Sequence, residues 1–374
     1  MNDEFYMKRA LKLARRGERW VSPNPMVGAV IVKHDRIVGE GYHQHFGGNH
    51  AEINALQKAS ESVAGSTFYL TLEPCCHHGK TPPCVESVIA AKPARVVIGI
   101  SDPNPQVSGR SIERLKQLGI QTTVGILEAE CRRLNERFVK YMLTHIPFVT
   151  LKFAQTLDGR IATATGHSRW ISSPLSLRFA HGLRTVHDGI LVGVGTILKD
   201  DPELTVRLAR GRQPIRIIVD THLGLPLNAR VLQDQNRART VVATTRAADP
   251  GKMSELERMG IETILVEEDG SHRVDMKKLL IELGSRNISS VLVEGGAAVI
   301  TSILKERLAD RMVVILAPKI AGKGIEGVGD LGIRLMDDAM NLSLRQVIRK
   351  GDDLILDGHI QQSPEIMNES PGFA

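Results

Sequence analysis

The N-terminal part of the chain alternates amphipathic stretches with short apolar runs. Apolar residues recur at helical spacing near the N-terminus and predict an amphipathic helix; they are Met7, Ala10, Leu11 and Ala14. The runs MVGAVIV and RIVGEGYH then predict a β-hairpin. The pattern next predicts a helix from about His50, a strand at TFYLTL, a helix after Cys84, strands at ARVVIGI and QTTVGI, and one helix through ECRRLNERFVKYML. This part is therefore α/β with short units.

The C-terminal part contains a series of Val/Ile/Leu-rich runs. Pro147 and the return of strand-like sequence mark a domain boundary, which we place after residue 146. The runs beyond it are FVTLKFA, DGILVGVG, IRIIVD, TVVATT, TILVE, SSVLVEGG and MVVILAP, with helical stretches between most of them. Because these runs are apolar on both faces, they favour a mostly parallel, buried sheet in a three-layer α/β domain. We predict domains at residues 1–146 and 147–362, followed by a flexible tail at 363–374, which lacks periodicity.

Length and composition agree with this division. A chain of 374 residues exceeds one ordinary hydrophobic core, and 42% hydrophobic with 24% charged residues is typical of a globular protein. The formal net charge of +6 favours anionic partners, but the Lys and Arg residues are scattered. We therefore expect a phosphorylated small molecule as partner and no nucleic acid.

The N-terminus and the cysteines indicate the compartment. Acidic residues precede any apolar stretch, so the first segment is not a signal peptide, and no apolar run is long enough to span a bilayer. We predict a cytoplasmic protein without membrane contact, in which thiols stay reduced. Three of the four cysteines fall within residues 75–84, and such a cluster in a reducing compartment is more often metal-binding or catalytic than disulfide-bonded.

One histidine and two of these cysteines form a candidate metal site. His50, Cys75 and Cys84 offer an imidazole and two thiolates, a donor set that suits Zn²⁺ and leaves a fourth tetrahedral position for water. A vacant position indicates catalysis. Two alternatives stay open: a structural zinc closed by Cys76, His77 or His78, and a cluster that binds no metal.

Glu52 supports the catalytic interpretation. If a helix begins at His50, Glu52 lies in its first turn and can face the same cavity, where a carboxylate can transfer protons. Pro74 is predicted to start another helix, whose positive end favours a Cys75 thiolate. His-x-Glu followed by Pro-Cys is the signature of zinc-dependent nucleobase deaminases. The usual second cysteine follows after two residues, whereas here the insert CHHGKTPP separates Cys75 from Cys84.

Two glycine-bearing turns follow strands in the C-terminal part. LVGVGTI begins at residue 191 and LVEGGAAVI at residue 292, and such turns let the backbone approach a phosphate at a helix N-terminus. The first lacks the third glycine of the dinucleotide fingerprint, because position 198 is Leu. Each turn is equally compatible with tight packing alone.

Taken together, these stretches resemble one known family. SPNPMVGAVIV, HAEINAL, EPCCHHGKTPPC and SDPNP resemble the deaminase half of the bifunctional deaminase-reductases of riboflavin biosynthesis. The reductase half is similar to LKFAQTLDGRIA, SRWIS, ILVGVGTILKDDPELTVR, VDTHL and VEGGA. The resemblance runs from about Pro23 to Pro318 and includes the long cysteine spacing. It implies a cytidine-deaminase-like three-layer domain followed by a dihydrofolate-reductase-like three-layer domain, with Zn²⁺ and NADPH as cofactors.

The resemblance also implies roles for individual residues. In the deaminase half the implied catalytic residue is Glu52, and the implied substrate contacts are Asn24, His77, Lys80, Asp102 and Asn104, with Lys80 toward the 5′-phosphate. In the reductase half the implied cofactor contacts are Ala154, Trp170, Thr196, Asp200, Thr221, Gly295 and Gly296. The implied substrate contacts there are Ser168, Arg184, Leu204, Arg207 and Glu294. Two arginines can clamp a ribose phosphate, and Glu294 lies where open α/β sheets bind ligands.

Several residues keep a plainer alternative. Asn24 and Asn104 stand in Asn-Pro turns, where Asn is common. Lys152 and Asp200 are candidates for protonating or positioning the sugar, with a surface ion pair as the alternative. Cys76, His78 and Cys131 receive no role.

By this resemblance the chain catalyses two consecutive reactions. Zinc-bound hydroxide attacks the carbon that carries the 2-amino group of 2,5-diamino-6-(5-phosphoribosylamino)pyrimidin-4-one, and NADPH then reduces the ribosyl group to a ribitylamine. Family analogy suggests a homo-oligomer. Two rivals remain: a tRNA or nucleoside deaminase with an unrelated C-terminal domain, which the 4% aromatic content disfavours, and a non-catalytic module with a structural zinc and a ligand sensor.

Overall fold

The computed structural model describes residues 2–76, 83–105 and 107–361. The chain divides into two compact units, Met1–Ile146 and Pro147–Ala374, called units 1 and 2 below. Both units are mixed α/β. None of the helices in the described part of the chain combines the length and the apolar character that crossing a bilayer requires. The tail predicted at 363–374 lies outside the described residues.

Unit 1 is built on one mixed sheet. Its strands are β1 (Gly28–Lys33), β2 (Arg36–Tyr42), β3 (Thr67–Leu72), β4 (Arg95–Ile100) and β5 (Gln121–Val124). Its helices are α1 (Asp3–Ala14), α2 (Ala51–Gln57), α3 (Cys84–Ala90), α4 (Arg110–Gln117), α5 (Glu128–Leu134) and α6 (Glu136–Thr144). The strand order is β2-β1-β3-β4-β5, with antiparallel pairing on both sides of β1 and parallel pairing from β3 to β5.

The core of unit 1 confirms the predicted apolar pattern. Strands β1 and β3 are almost entirely buried, and α1 buries the predicted face that carries Met7 and Leu11. The Asn2 side chain caps α1 by accepting the Phe5 N–H at 3.1 Å. The hydrophobic core lies between this sheet and its helices, with α1 and α2 both packed on the hairpin strands.

The single helix predicted through ECRRLNERFVKYML is wrong in one respect, because the helix is interrupted at Asn135. This residue separates α5 from α6 and has φ −106° and ψ 23°. Its buried side chain accepts the Met26 N–H at 2.8 Å and donates to the Met26 carbonyl at 2.9 Å. A side chain that hydrogen-bonds a distant backbone in this way competes with helix continuity.

Unit 2 is built on a nine-stranded sheet. Its strands are β6 (Phe148–Thr156), β8 (Gly189–Gly193), β9 (Ile215–Val219), β10 (Thr240–Thr244), β11 (Glu262–Leu265), β12 (Ser290–Val293), β13 (Arg311–Ala317), β15 (Leu342–Lys350) and β16 (Asp353–Ile360). A separate pair is formed by β7 (Arg160–Thr163) and β14 (Gly324–Glu326). The helices are α7 (Pro174–Val186), α8 (Val194–Asp200), α9 (Pro250–Arg258), α10 (Met276–Ser285) and α11 (Ala297–Lys305).

The sheet of unit 2 confirms the prediction of buried parallel strands. Its order is β11-β10-β9-β8-β12-β6-β13-β16-β15, and pairing is parallel from β11 to β13. The antiparallel hairpin β15–β16 at the end was not predicted. In β15 every residue is exposed or half-buried, and its sequence lacks the apolar run that marks the other strands.

Candidate active sites

Three elements bring an imidazole and two thiols together in unit 1. His50 is the N-cap residue of α2, Cys75 lies in the irregular segment after β3, and Cys84 is the first residue of α3. The predicted helix start at Pro74 is wrong, since residues 73–76 are not helical. The amino end of α3 nevertheless faces Cys75, because the Cys84 N–H donates to Cys75 Sγ at 3.2 Å. The helix N-terminus that favours a thiolate at Cys75 is therefore that of α3.

The donor atoms of these residues converge on one point. His50 Nδ1 lies 3.1 Å from Cys84 Sγ and 3.5 Å from Cys75 Sγ. All three atoms lie within 4.8 Å of one another. One imidazole nitrogen and two sulfurs at these separations fit a tetrahedral Zn²⁺, for which metal–ligand distances are about 2.0–2.3 Å.

The environment favours a thiolate at one of the two cysteines, Cys75. Hydrogen bonds from Cys84 and from His50 lower the pKa of Cys75, although burial opposes the shift. The hydrogen bond to Cys75 and burial raise the pKa of Cys84. A thiolate is the form of cysteine that binds a metal ion, so the lowered pKa of Cys75 favours metal binding.

Glu52 stands beside the cluster in the first turn of α2, as predicted. It is buried, and its Oε2 atom has no hydrogen-bond partner among the described residues. Burial, followed by the charge of Cys75, raises the pKa of Glu52 to about 7. Burying a carboxylate oxygen without a hydrogen-bond partner costs free energy, unless a ligand or a proton binds to that oxygen.

The structure tests the closed, four-ligand alternative for only one of its three candidate ligands. Cys76 is half-buried and does not join the group of three donor atoms. His77 and His78, like the predicted phosphate contact Lys80, lie outside the described residues.

Asn24 is linked to the metal-binding cluster by His43, a residue that sequence analysis did not single out. Its Nδ2 atom is 3.1 Å from His43 Nε2, and His43 Nδ1 is 3.0 Å from the Asn49 carbonyl. The His43 ring makes an edge contact with the His50 ring, with centroids 5.2 Å apart. Burial lowers the pKa of His43, which favours its neutral form. Its Nδ1–H donates to the carbonyl, and Nε2 accepts from the Asn24 amide, which orients the Asn24 side chain.

Asp102 and Asn104 lie together in the loop after β4. The Asp102 Oδ1 atom accepts the Asn104 N–H at 2.9 Å, and Asp102 is buried. The Asp102 N–H in turn donates to Glu73 Oε2 at 3.0 Å. Glu73 directly precedes Pro74, so this loop is tied to the segment that carries Cys75.

A second buried cluster of charged residues lies in unit 2. Glu294 directly follows β12, and both of its oxygens accept 2.8 Å hydrogen bonds from Arg184 of α7. Lys152 of β6 approaches Glu294 Oε2 to 3.9 Å. The side chains of Lys152, Arg184 and Glu294 are 13%, 11% and 6% exposed, so Lys152 does not form the surface ion pair left open as an alternative.

The pKa values in this cluster follow from burial and mutual attraction. The positive charges of Arg184 and Lys152 lower the pKa of Glu294 to about 2, although burial opposes the shift. Burial lowers the pKa of Lys152, partly offset by Glu294. Glu294 is therefore an anion, and Lys152 is a more acidic ammonium than an exposed lysine.

The predicted substrate contacts Leu204 and Arg207 lie in a segment held by α7. Arg184 Nη1 donates to the Thr205 carbonyl at 2.9 Å, and the Arg207 N–H donates to His181 Nδ1 at 3.1 Å. Leu204 has φ +52°, a conformation that leucine rarely adopts without support from its surroundings. His181, which sequence analysis did not single out, thus fixes the backbone next to the Arg207 side chain.

The two arginines occupy different environments. The fork of Arg184 is bound by Glu294, whereas Arg207 is 45% exposed and pairs with Glu203 at 2.8 Å. The structure therefore does not present Arg184 and Arg207 as an open pair for one phosphate.

The predicted cofactor contacts lie mainly at the carboxyl ends of neighbouring parallel strands, where open α/β sheets bind ligands. Thr196 lies in α8 after β8, Thr221 follows β9, and the turn Gly295–Gly296 follows β12. A Cβ atom at Gly295 would lie 2.7 Å from Thr196 Oγ1, and Gly296 has φ +78°, so this turn requires glycine. Asp200 ends α8, and Ala154 lies in β6.

Ser168 and Trp170 line a separate open cleft of about 240 Å³ in unit 2. Arg160, Arg169 and Lys319 also line it, and Lys319 Nζ donates to the Trp170 carbonyl at 2.6 Å. The Trp170 side chain is exposed. Its indole therefore remains available for stacking on a planar ring.

Comparison with known proteins identifies both halves. The family "Cytidine and deoxycytidylate deaminase zinc-binding region" matches residues 1–100, and the family "RibD C-terminal domain" matches residues 147–356. The riboflavin biosynthesis protein RibD of Aquifex aeolicus is 44% identical over 95% of this chain and 97% of its own length. That of Escherichia coli K12 is 42% identical over 95% of this chain and 99% of its own length.

Solved structures agree over the same extent. RibD of Acinetobacter baumannii superposes with a TM-score of 0.88 at 35% identity and covers 96% of this chain and 99% of that chain. A diaminohydroxyphosphoribosylaminopyrimidine deaminase/5-amino-6-(5-phosphoribosylamino)uracil reductase of Thermotoga maritima gives a TM-score of 0.82 at 39% identity, with the same coverage. These matches confirm the predicted cytidine-deaminase-like and dihydrofolate-reductase-like halves and the cofactors Zn²⁺ and NADPH. The chain belongs to the RibD family of riboflavin biosynthesis proteins.

Proposed function

We propose that unit 1 deaminates 2,5-diamino-6-(5-phosphoribosylamino)pyrimidin-4-one and that unit 2 reduces the ribosyl group of the product with NADPH. Family membership makes the chain a bifunctional deaminase and reductase of riboflavin biosynthesis. The observation that carries the residue assignment is the convergence of His50 Nδ1 and two cysteine sulfurs beside the buried Glu52. The match over residues 147–356 also argues against a deaminase with an unrelated C-terminal domain.

In unit 1, His50, Cys75 and Cys84 would hold the zinc ion. When bound there, the ion would supply Lewis-acid activation of a water molecule for attack on an amidine carbon. Glu52 Oε2 accepts a proton from the water and passes it to the departing ammonia. Burial raises the pKa of Glu52, and a carboxylate whose pKa is raised toward the working pH accepts and releases protons more readily. Asn24 and Asp102, on two loops beside the cluster, orient the pyrimidine.

In unit 2, the cluster at the end of β12 orients the sugar. NADPH supplies the hydride. Arg184 holds Glu294 ionised and fixed, while the buried Lys152 ammonium protonates or orients the sugar. At Thr196 and the Gly295–Gly296 turn, the protein backbone can approach the cofactor closely. The exposed Arg207 binds the substrate phosphate.

The wider setting of the enzyme is also a proposal. We propose a phosphorylated pyrimidine as the substrate of both units, a homo-oligomer as the working assembly, no binding of nucleic acid, and a cytoplasmic location. Scattered basic residues, the few aromatic residues and the free cysteines support these statements. Sedimentation of the purified chain tests the assembly, and filter binding with RNA tests the exclusion of nucleic acid.

Replacing the proposed proton carrier tests the deaminase assignment. Glu52→Gln removes the titrating group and leaves the three metal ligands intact. We expect ammonia release from the diaminopyrimidine to fall by about 10²–10⁴-fold, the usual contribution of general acid–base catalysis. Zinc content by elemental analysis and NADPH oxidation with the deaminated substrate should stay unchanged.

The matched control is Glu86→Gln, which removes an exposed carboxylate that pairs with Arg114 on the surface of unit 1. This variant should deaminate at the rate of the unaltered enzyme. Loss of zinc from Glu52→Gln would show that the carboxylate is a ligand and would refute the assigned role. Absence of ammonia release from the unaltered enzyme would refute the function.

A further inference from the structure

Glu73 has an unusually complete set of hydrogen bonds for a residue outside the proposed catalytic set. It directly follows β3, is 2% exposed, and stands two residues before Cys75. Its Oε2 atom accepts the N–H groups of Asp102 and Gly109, each at 3.0 Å. Its Oε1 atom accepts those of Ser111 at 3.0 Å and Ile112 at 3.4 Å.

These hydrogen bonds fix both ends of the loop between β4 and α4. Asp102 lies just after β4, and Gly109 is the N-cap residue of α4. Ser111 and Ile112 lie in the first turn of α4, where backbone N–H groups lack partners within the helix. The Glu73 carboxylate thus caps α4 and fixes the start of the loop that carries Asp102 and Asn104. The positive end of α4 also stabilises the buried negative charge.

A second link joins the loop to the cysteine segment. Ser111 Oγ donates to the Pro74 carbonyl at 2.5 Å, and Pro74 is bonded to Cys75. The Glu73 N–H donates to the Ile100 carbonyl at the end of β4 at 2.9 Å. Glu73 and its neighbours therefore hold together the segment that carries the zinc ligand and the loop that carries the predicted substrate contacts.

We propose that Glu73 is a positioning residue of the deaminase, which sets the distance between the Cys75 segment and the substrate-binding loop at 102–104. This inference rests on the proposed function of unit 1. Glu73 reaches neither substrate nor metal, because its four hydrogen bonds occupy both oxygens. Its effect therefore falls on substrate binding rather than on the metal.

Glu73→Gln tests the proposal. Glutamine keeps the size but offers one oxygen, and its amide N–H₂ faces N–H groups that need an acceptor. We expect the KM for the diaminopyrimidine to rise about 10-fold or more with a smaller change in kcat, the pattern of lost uniform binding. Zinc content and the NADPH-dependent reductase activity of the same chain should match the unaltered enzyme.

The control Glu86→Gln removes a carboxylate that also contacts α4, through exposed Arg114, and should leave KM unchanged. An unchanged KM in Glu73→Gln would overturn the inference, as would loss of zinc, which would place the effect on Cys75. If unit 1 of the variant does not fold, amide hydrogen exchange in the unaltered enzyme decides. Strong protection at Asp102 and Gly109 supports the inference, and rapid exchange there overturns it.

These outcomes remain separate from failure of the proposed function. The unaltered enzyme is assayed in parallel, and absence of deamination there refutes the function of unit 1 itself. Normal deamination by both proteins refutes only the positioning role of Glu73.

Discussion

At the level of single residues, sequence analysis finds groups whose chemistry stands in a contiguous motif. His50, Glu52 and Cys75 belong to short signatures of metal and proton chemistry, and the donor atoms of His50, Cys75 and Cys84 lie within 4.8 Å of one another. Glu73 and His43 were missed because their partners are remote. The Glu73 carboxylate binds N–H groups 29 to 39 residues away, and no local pattern reports such bonds.

His181 illustrates the same limit in unit 2 and gives a pH prediction. Burial, with help from Arg184, lowers its pKa to about 4 from an ordinary value of 6.5. Between these values the unfolded chain binds a proton that the folded chain does not. The free energy of unfolding of unit 2 should therefore fall as the pH drops from 6.5 to 4, by up to about 3 kcal/mol from this residue.

Hydrogen exchange of peptides from β6 and β13, measured across this pH range, checks the prediction. His181→Asn keeps an acceptor for the Arg207 N–H but does not titrate, so the pH dependence should flatten. The control His272→Asn removes a histidine that is 90% exposed and should retain the original dependence. Equal dependence in His181→Asn and the unaltered enzyme would rule out His181 as the source.

At the level of elements, strands buried on both faces were predicted well, because their apolar runs are continuous. The hairpin β15–β16 was missed because β15 is exposed on much of its surface and its sequence resembles a polar loop. The break between α5 and α6 was missed for a different reason. Asn135 bonds to Met26, 109 residues away, and this tertiary contact overrides a helical pattern that is locally continuous.

The Asn135 contact should contribute strongly to the stability of unit 1. Asn135→Ala leaves the buried N–H and carbonyl of Met26 without partners, which costs about 2–4 kcal/mol in the free energy of unfolding. Urea denaturation of the zinc-loaded chain measures the loss. Arg132→Ala, which removes an exposed ion pair with Glu128, should cost less than about 1 kcal/mol. Equal stability of both variants would refute the importance of this link.

At the level of the whole molecule, the two units carry separate chemistries. Within the described ranges, the residues that fit zinc belong to Met1–Ile146, and the cluster of Lys152, Arg184 and Glu294 belongs to Pro147–Ala374. In the sequence, the zinc-site motifs and the reductase motifs likewise stand on opposite sides of residue 146. The sequence did not predict that Arg184 binds Glu294, since an arginine in sequence does not reveal whether its fork faces a ligand or a neighbouring carboxylate.

The deaminase chemistry of unit 1 requires a zinc ion with three protein ligands and one position left for water. X-ray absorption at the zinc edge of the purified full chain tests it most directly. We expect one zinc per chain, bound by two sulfurs, one imidazole nitrogen and one further light atom, which exchanges when a small anion is added. A fourth protein ligand, whether a third sulfur or a second imidazole, or a chain that binds no zinc, would contradict it.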